Sequence, residues 1–253
     1  MKILHDIPNK QINFLDERFY TRDNVHFFPS VTTVLDVYPK GYGYIQWLKD
    51  LGSNAEQVMK RAGEQGTAVH NAIDKYLNGE ELIWSNDLGE ARYTIDVWLM
   101  ILKFVEFWTT YKPELIVNEQ NYVSEILGFG GTMDLVCRIN NVVWLIDYKS
   151  GNGIYKSFEF QLAAYEKLWT ELSPEIKIQR RGVMHLRATT RGADKSGKTI
   201  QGKGWKLHEF DHTHEGAFNI FKHAQALWRE ENPNPVPKNM IYPDRIKLEV
   251  VKD

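Results

Sequence analysis

Apolar residues recur along this chain in two periods, and the period changes near residue 113. Before that point Ile95, Trp98, Leu99, Leu102, Val105 and Phe107 fall at helical spacing. They predict an amphipathic helix over about 87–111, ended by Pro113. Residues 54–78 are also helix-like, and Gly63 with Gly66 predicts a break between two helices there. Residues 1–50 read as short alternating pieces, among them Pro29-Ser-Val-Thr-Thr-Val-Leu35, with an aromatic stretch reaching Trp47. After Pro113, β-rich runs predict strands near 115–125, 129–139 and 142–149. A helix over about 156–172, a strand over 177–189, a basic loop, a strand over 205–210 and a helix over 213–230 follow. Pro233, Pro235, Pro237 and Pro243 predict an extended tail. This order implies an α/β fold with a mixed sheet flanked by helices. It reads as a single domain over 1–253: a mainly helical part to 112, a sheet core with a basic hairpin over 113–232, and a tail.

Composition narrows the classes. Of the 253 residues 43% are hydrophobic and 25% charged, the balance of a globular chain and not of a disordered or collagen-like one. No apolar run approaches the roughly 18 residues of a membrane span, so no membrane partner is expected. The N-terminus lacks the apolar core of a signal peptide, so a cytoplasmic location is expected. Cys137 is the single cysteine, which excludes a disulfide framework, a Cys-rich zinc site and a Cys-ligated iron–sulfur cluster. The net charge is −2, yet the segment from Glu175 to Lys206 carries nine Lys or Arg against two acidic residues. A segment so polarised attracts a polyanion by counterion release, although a solvated basic hairpin would look the same.

The candidate chemistry centres on a hairpin. Asn140-Asn141 between two β-rich runs suits a two-residue turn, because Asn tolerates positive φ. In that register Asp134 and Asp147 lie opposite each other with side chains on one face about 5 Å apart, and Lys149 shares the face. Two such carboxylates repel unless a cation sits between them. Hard oxygen ligands without cysteine point to Mg²⁺ or Mn²⁺. An ion pair of one Asp with Lys149 and a solvated second Asp is the alternative. His70 sits at the edge of an apolar helix arc, with Asp74 one turn on and able to hold its ring. By itself such a histidine is more often a hydrogen-bonded boundary residue than a ligand. Gln161 and Tyr165 share a helix face, and Glu119 and Glu125 lie in the first strand, Glu119 being the better placed to support a ligand.

Together these residues resemble the RecB-like branch of the PD-(D/E)XK nuclease superfamily. Its motifs are matched in order by Thr67-Ala-Val-His70 after Gly66, Gly131-Thr-Met-Asp134, Asp147-Tyr148-Lys149 and Gln161-Leu-Ala-Ala-Tyr165. Ser30-Val-Thr-Thr-Val-Leu35 followed by Trp47 is also similar to phage and mitochondrial genome-maintenance exonucleases of this branch. The resemblance implies a restriction-endonuclease-like sheet and a metal-dependent deoxyribonuclease using Mg²⁺ or Mn²⁺. It implies His70, Asp134, Asp147 and the Tyr148 carbonyl as metal ligands, Lys149 as catalytic, and Gln161 and Tyr165 as substrate-positioning residues of the catalytic set. The four-Cys cluster of the iron–sulfur members is missing. The implied partner is DNA, single-stranded or at its ends, with Arg187, Arg191, Lys195, Lys198 and Lys203 as phosphate contacts. Trp47 and Trp205 are candidates for stacking on the bases of a threaded strand.

Two further motifs compete. Gly192-Ala-Asp-Lys-Ser-Gly197-Lys198-Thr199 matches the P-loop pattern, which requires a helix starting at Lys198-Thr199. The glycines that follow argue against one. In Asp211-His212-Thr213-His214, a helix cap by Asp211 or Thr213 competes with metal binding. A catalytically silent nucleic-acid-binding module on the same fold is the alternative from another class.

Overall fold

Asn140 and Asn141 both take left-handed φ, 50° and 66°, so the chain reverses in two residues between strands β5 (Phe129–Ile139) and β6 (Val142–Lys149). The register is the expected one, from Ile139 opposite Val142 to Leu135 opposite Ile146. This computed structural model describes residues 9–14, 17–23, 25–186, 190–193, 199–201, 205–211 and 215–237.

The hairpin lies inside a five-stranded sheet of order β10-β7-β6-β5-β4, with β4 at Glu114–Ser124, β7 at Arg180–His185 and β10 at Lys206–Phe210. Only the β6–β7 neighbours are parallel, and helix α5 (Lys156–Leu172) makes the crossover between them. The architecture is therefore α/β with a mixed sheet flanked by helices. Alternate residues of β6 feed two cores. Val143 and Leu145 pack under α5 and α6 (Glu215–Glu231), whereas Trp144, Ile146 and Tyr148 pack under α3 (Ala55–Leu77) and α4 (Ile95–Tyr111).

The N-terminal part is less helical than its pattern implies. Strands β1 (Lys10–Phe14), β2 (Glu17–Thr21) and β3 (Phe27–Pro29) form an antiparallel sheet. The Pro29–Leu35 piece is not extended: Ser30 accepts from the Thr33 N–H and caps a short helix, α1 (Val31–Leu35). Helix α2 (Tyr42–Leu51) carries Trp47. Gly63 and Gly66 do not break α3, which is continuous over 23 residues. Two glycines cost about 1 kcal/mol each, and the apolar arc of Val69, Ala72 and Ile73 buried in the sheet core offsets that.

Helix α4 begins eight residues later than its apolar pattern predicts. Asn86 Oδ1 accepts from the N–H groups of Leu88 and Glu90, Ser85 bridges to Ala91, and Gly89 adopts a φ of 78°. This local turn outcompetes the helix until Thr94 caps it. The strand expected over 177–189 is shorter, at Arg180–His185. The basic segment contains a pair of antiparallel strands, β8 (Thr190–Ala193) and β9 (Thr199–Gln201). A strand at Thr199 stands where a P-loop needs a helix, which removes the nucleotide-binding reading of that motif. His212, Thr213, His214 and most of the proline-rich tail lie outside the described residues, so the expected cap and extended tail do too.

One packing relation links two of the sequence motifs. A Cβ on Gly131 would lie 2.3 Å from Cε1 of Tyr165, so the glycine is what lets α5 seat its tyrosine against β5. Gly131→Ala should therefore destabilise the fold by about 1–3 kcal/mol through overpacking. Urea unfolding measures it, and a change below about 0.5 kcal/mol would contradict this contact.

Candidate metal centre

The sheet register sets three carboxylates abreast. Asn118 pairs with Leu135 and Gln120 with Met133, so Glu119 faces Asp134 across β4 and β5. Continuing the β5–β6 register puts Asp147 on the other side of Asp134. Glu119 holds a left-handed φ of 46°, a conformation that costs a non-glycine residue energy and that persists where the surroundings impose it. Helix α3 brings His70 over this row. Its Nδ1 lies 2.8 Å from Glu119 Oε1 and 3.6 Å from Asp134 Oδ1. One ligand atom each from His70, Glu119 and Asp134 fall within 4.8 Å of one another.

Asp147 and Lys149 form the second half of the cluster. Lys149 Nζ is 2.7 Å from Asp147 Oδ2, an ion-pair contact that lies off the hydrogen-bond direction. Gln161 ties the parts together from α5: its Nε2 donates to Asp147 Oδ1 at 2.8 Å and to the Tyr165 hydroxyl at 3.3 Å, and its Oε1 accepts from Lys149 at 3.3 Å. The Lys149 ammonium also stands 4.7 Å from the centre of the Phe158 ring. Tyr148 points its side chain to the opposite face, edge-on to His70, while its N–H donates to Asp134 Oδ2 at 2.7 Å.

Burial and charge oppose each other here. Burial raises the Asp134 carboxyl well above its usual range, the Asp147 and Glu119 charges add to this, and His70 and Lys149 pull the other way. For His70, burial disfavours the imidazolium, but the Asp134 charge and the Glu119 hydrogen bond outweigh it and push the pKa up to about 9. Burial likewise raises the Tyr148 and Tyr165 hydroxyls, which stay protonated. The cluster thus gathers three carboxylates against one imidazole and one ammonium, at buried or half-buried positions. A divalent cation fits that donor set.

The structure brings His70, Glu119, Asp134, Asp147, Lys149, Gln161 and Tyr165 together. Asp74 takes a different part from the one expected. Its Oδ1 accepts from Asn118 and Asn78, and Glu119, not Asp74, is the carboxylate on the His70 ring. Sequence reasoning gave Glu119 a supporting place only. Its place beside Asp134 follows from the β4–β5 register, which the sequence alone does not give, and its backbone takes a positive φ there. His185, paired with Lys149 across β6 and β7, also escaped notice; its Nε2 meets the Gly151 carbonyl at 2.7 Å. Arg187, Lys195, Lys198 and Lys203 lie outside the described residues, and of Arg191 only its backbone place in β8 is described. Trp47 stacks on Tyr44 of its own helix, half-buried, and Trp205 packs edge-on against Phe107 and Tyr111.

No protein-family model matches this chain, and no curated protein does. Among solved structures, a crystal structure from Eubacterium rectale named "Putative exonuclease" aligns over 74% of this chain and 77% of its own, at 12% identity and a TM-score of 0.39. Among the described residues no helix is long and apolar enough to cross a membrane.

Proposed function

We propose that this chain is a metal-dependent deoxyribonuclease, an exonuclease hydrolysing phosphodiester bonds in single-stranded DNA or at DNA ends. The observation that carries the reading is the convergence of His70, Glu119, Asp134, Asp147 and Lys149 on one point of the sheet. The ordered motifs shared with RecB-like PD-(D/E)XK nucleases supply the same residues, Glu119 excepted. His70, Asp134, Asp147 and the Tyr148 carbonyl would hold Mg²⁺ or Mn²⁺, and Glu119 joins them as a ligand. When bound, the cation supplies a Lewis acid for a phosphate oxygen and acidifies a water.

The remaining work falls to this chain's side chains. Asp147 and Gln161 hold the Lys149 ammonium in a fixed place beside the carboxylates. From there it orients the attacking water or neutralises charge that develops on the phosphate. Tyr165 fixes Gln161 and, through it, Asp147. Phosphate contacts come from the basic segment, Arg187, Arg191, Lys195, Lys198 and Lys203. A cytoplasmic location belongs to the same reading. The silent binding module is the weaker alternative, because binding alone needs no buried row of carboxylates, and a row left unneutralised costs stability.

Exonuclease action implies a free end. Linear single-stranded DNA should be degraded at least about tenfold faster than the same sequence circularised, and binding should weaken steeply as salt rises. Equal rates on circle and line would make the protein an endonuclease with the same metal centre. A gel time course on the two substrates in Mn²⁺ decides.

A further inference from the structure

The sheet face that carries the metal centre has an acidic side and a basic side. Toward β4, the face bearing Asp134 and Asp147 continues into a third carboxylate, Glu119. Toward β10 the sign changes. Lys149 pairs with His185 of β7, and His185 pairs in turn with Lys206 of β10, so the three form one row across the end of the sheet. Paired residues on neighbouring strands share a face. Lys206 therefore stands on the Lys149 side, about 10 Å away over two strand spacings of ~4.8 Å. His208, two residues on, shares that face, and its ring centroid lies 6.1 Å from that of His185. The His185 ring is fixed: its Nε2 donates to the Gly151 carbonyl at 2.7 Å.

Lys206 is exposed, and among the described residues no carboxylate pairs with it. The acidic residue of β10, Glu209, is turned to the other face, where it holds Arg180 at 3.0 Å. Burial first, and then the Lys206 and His185 charges, keep the His208 imidazole below its usual pKa, the response of a group in a positive field. The row also stands at the root of the basic segment, since β7 ends at His185 shortly before Arg187 and β10 begins at Lys206 shortly after Lys203. We infer that a single-stranded substrate runs from the metal centre along this row toward β10, with the scissile phosphate beside Lys149 and a following phosphate on the Lys206 ammonium. His185 forms the floor between the two ammonium groups. The opposite direction, over Glu119, would set phosphates against a carboxylate. The inference rests on the nuclease reading and adds to it the direction of the strand and a phosphate-binding residue.

Salt dependence tests the contact. Fluorescence anisotropy in EDTA measures binding of a labelled oligo-dT of ~20 nucleotides to the full chain at several salt concentrations. Lys206→Ala, at an exposed edge position, should raise Kd about three- to tenfold. It should also flatten the slope of log Kd against log salt by about 0.7, the share of one phosphate contact on a single strand. Lys206→Arg keeps the charge and should keep both values close to those of wild type. In Mn²⁺, Lys206→Ala should raise KM for the same strand by a similar factor while kcat falls by less than about threefold, because the contact is made before and during cleavage alike. An unchanged Kd and slope in Lys206→Ala, or an Arg variant as weak as the Ala one, would overturn the phosphate contact and leave the nuclease standing. A fall in kcat at constant KM would overturn it too, since Lys206 would then act in the chemistry and not along the path. Wild type that binds with the expected slopes but cleaves no DNA would sink the nuclease reading and keep the row as a binding track.

Discussion

Lys149→Ala should abolish most cleavage, by about a thousandfold or more, while leaving the affinity for single-stranded DNA close to that of wild type. A thousandfold corresponds to about 4 kcal/mol of barrier, and the ammonium is placed to act at that scale. It is anchored by Asp147 at 2.7 Å and by Gln161, partly shielded from water against Phe158, and aligned with the carboxylate row. A charge fixed in a low-dielectric pocket acts on a transition state without having to reorganise. The same contacts warn of a structural effect, because removing Lys149 leaves Asp147 without its cation. Melts of the variant in Mn²⁺ separate the two, since a bound cation would neutralise the row in place of the ammonium. Cleavage within tenfold of wild type, in a variant shown to be folded, would remove Lys149 from the chemistry.

Asp134→Asn should uncouple stability from metal. In wild type, metal at a hundredfold excess over its Kd adds about 2.7 kcal/mol, or roughly 5–10 °C in Tm for a chain of this size. Asp134→Asn should lose most of that shift, together with cleavage. The metal-free proteins should also differ in pH dependence. Both His70 and Asp134 have folded-state pKa values above those of the unfolded chain. Their favourable contribution is present at low pH. That of His70 is complete below about 6.5 and is lost as pH rises toward about 9. Metal-free wild type should therefore lose stability between these values. The variant should respond less, because the charge that most raises His70 is gone. Simple repulsion across the hairpin would treat Asp134 and Asp147 alike, so that Asn at either position relieves it. The structure distinguishes them: Asp147 has Lys149 and Gln161, whereas Asp134 lies between the Asp147 and Glu119 charges and has the raised pKa. Identical metal shifts in wild type and Asp134→Asn would remove Asp134 from the ligand set.

The site was legible wherever local rules fix geometry. The Asn140-Asn141 turn sets a register with no freedom, so the positions of Asp134 and Asp147 follow from counting residues. Gln161 and Tyr165 follow from helical spacing on a helix with the expected bounds. Glu119 was harder. Its partnership with His70 joins a strand and a helix 49 residues apart, through a positive φ that no propensity predicts for glutamate. The late start of α4 shows the converse, a local Asn86 turn overriding a helical pattern. Gly63 and Gly66 show tertiary burial overriding local propensity.

The central claim is that the carboxylate row and His70 form a metal centre that cuts DNA. Single strands labelled at the 5′ or the 3′ end, incubated with wild type in Mg²⁺, in Mn²⁺ and in EDTA, test it most directly. The account predicts short products that accumulate from one labelled end, only where metal is present, and not with Lys149→Ala. Strands that remain intact in both metals while the protein binds them would contradict it and leave a nucleic-acid-binding module without catalysis.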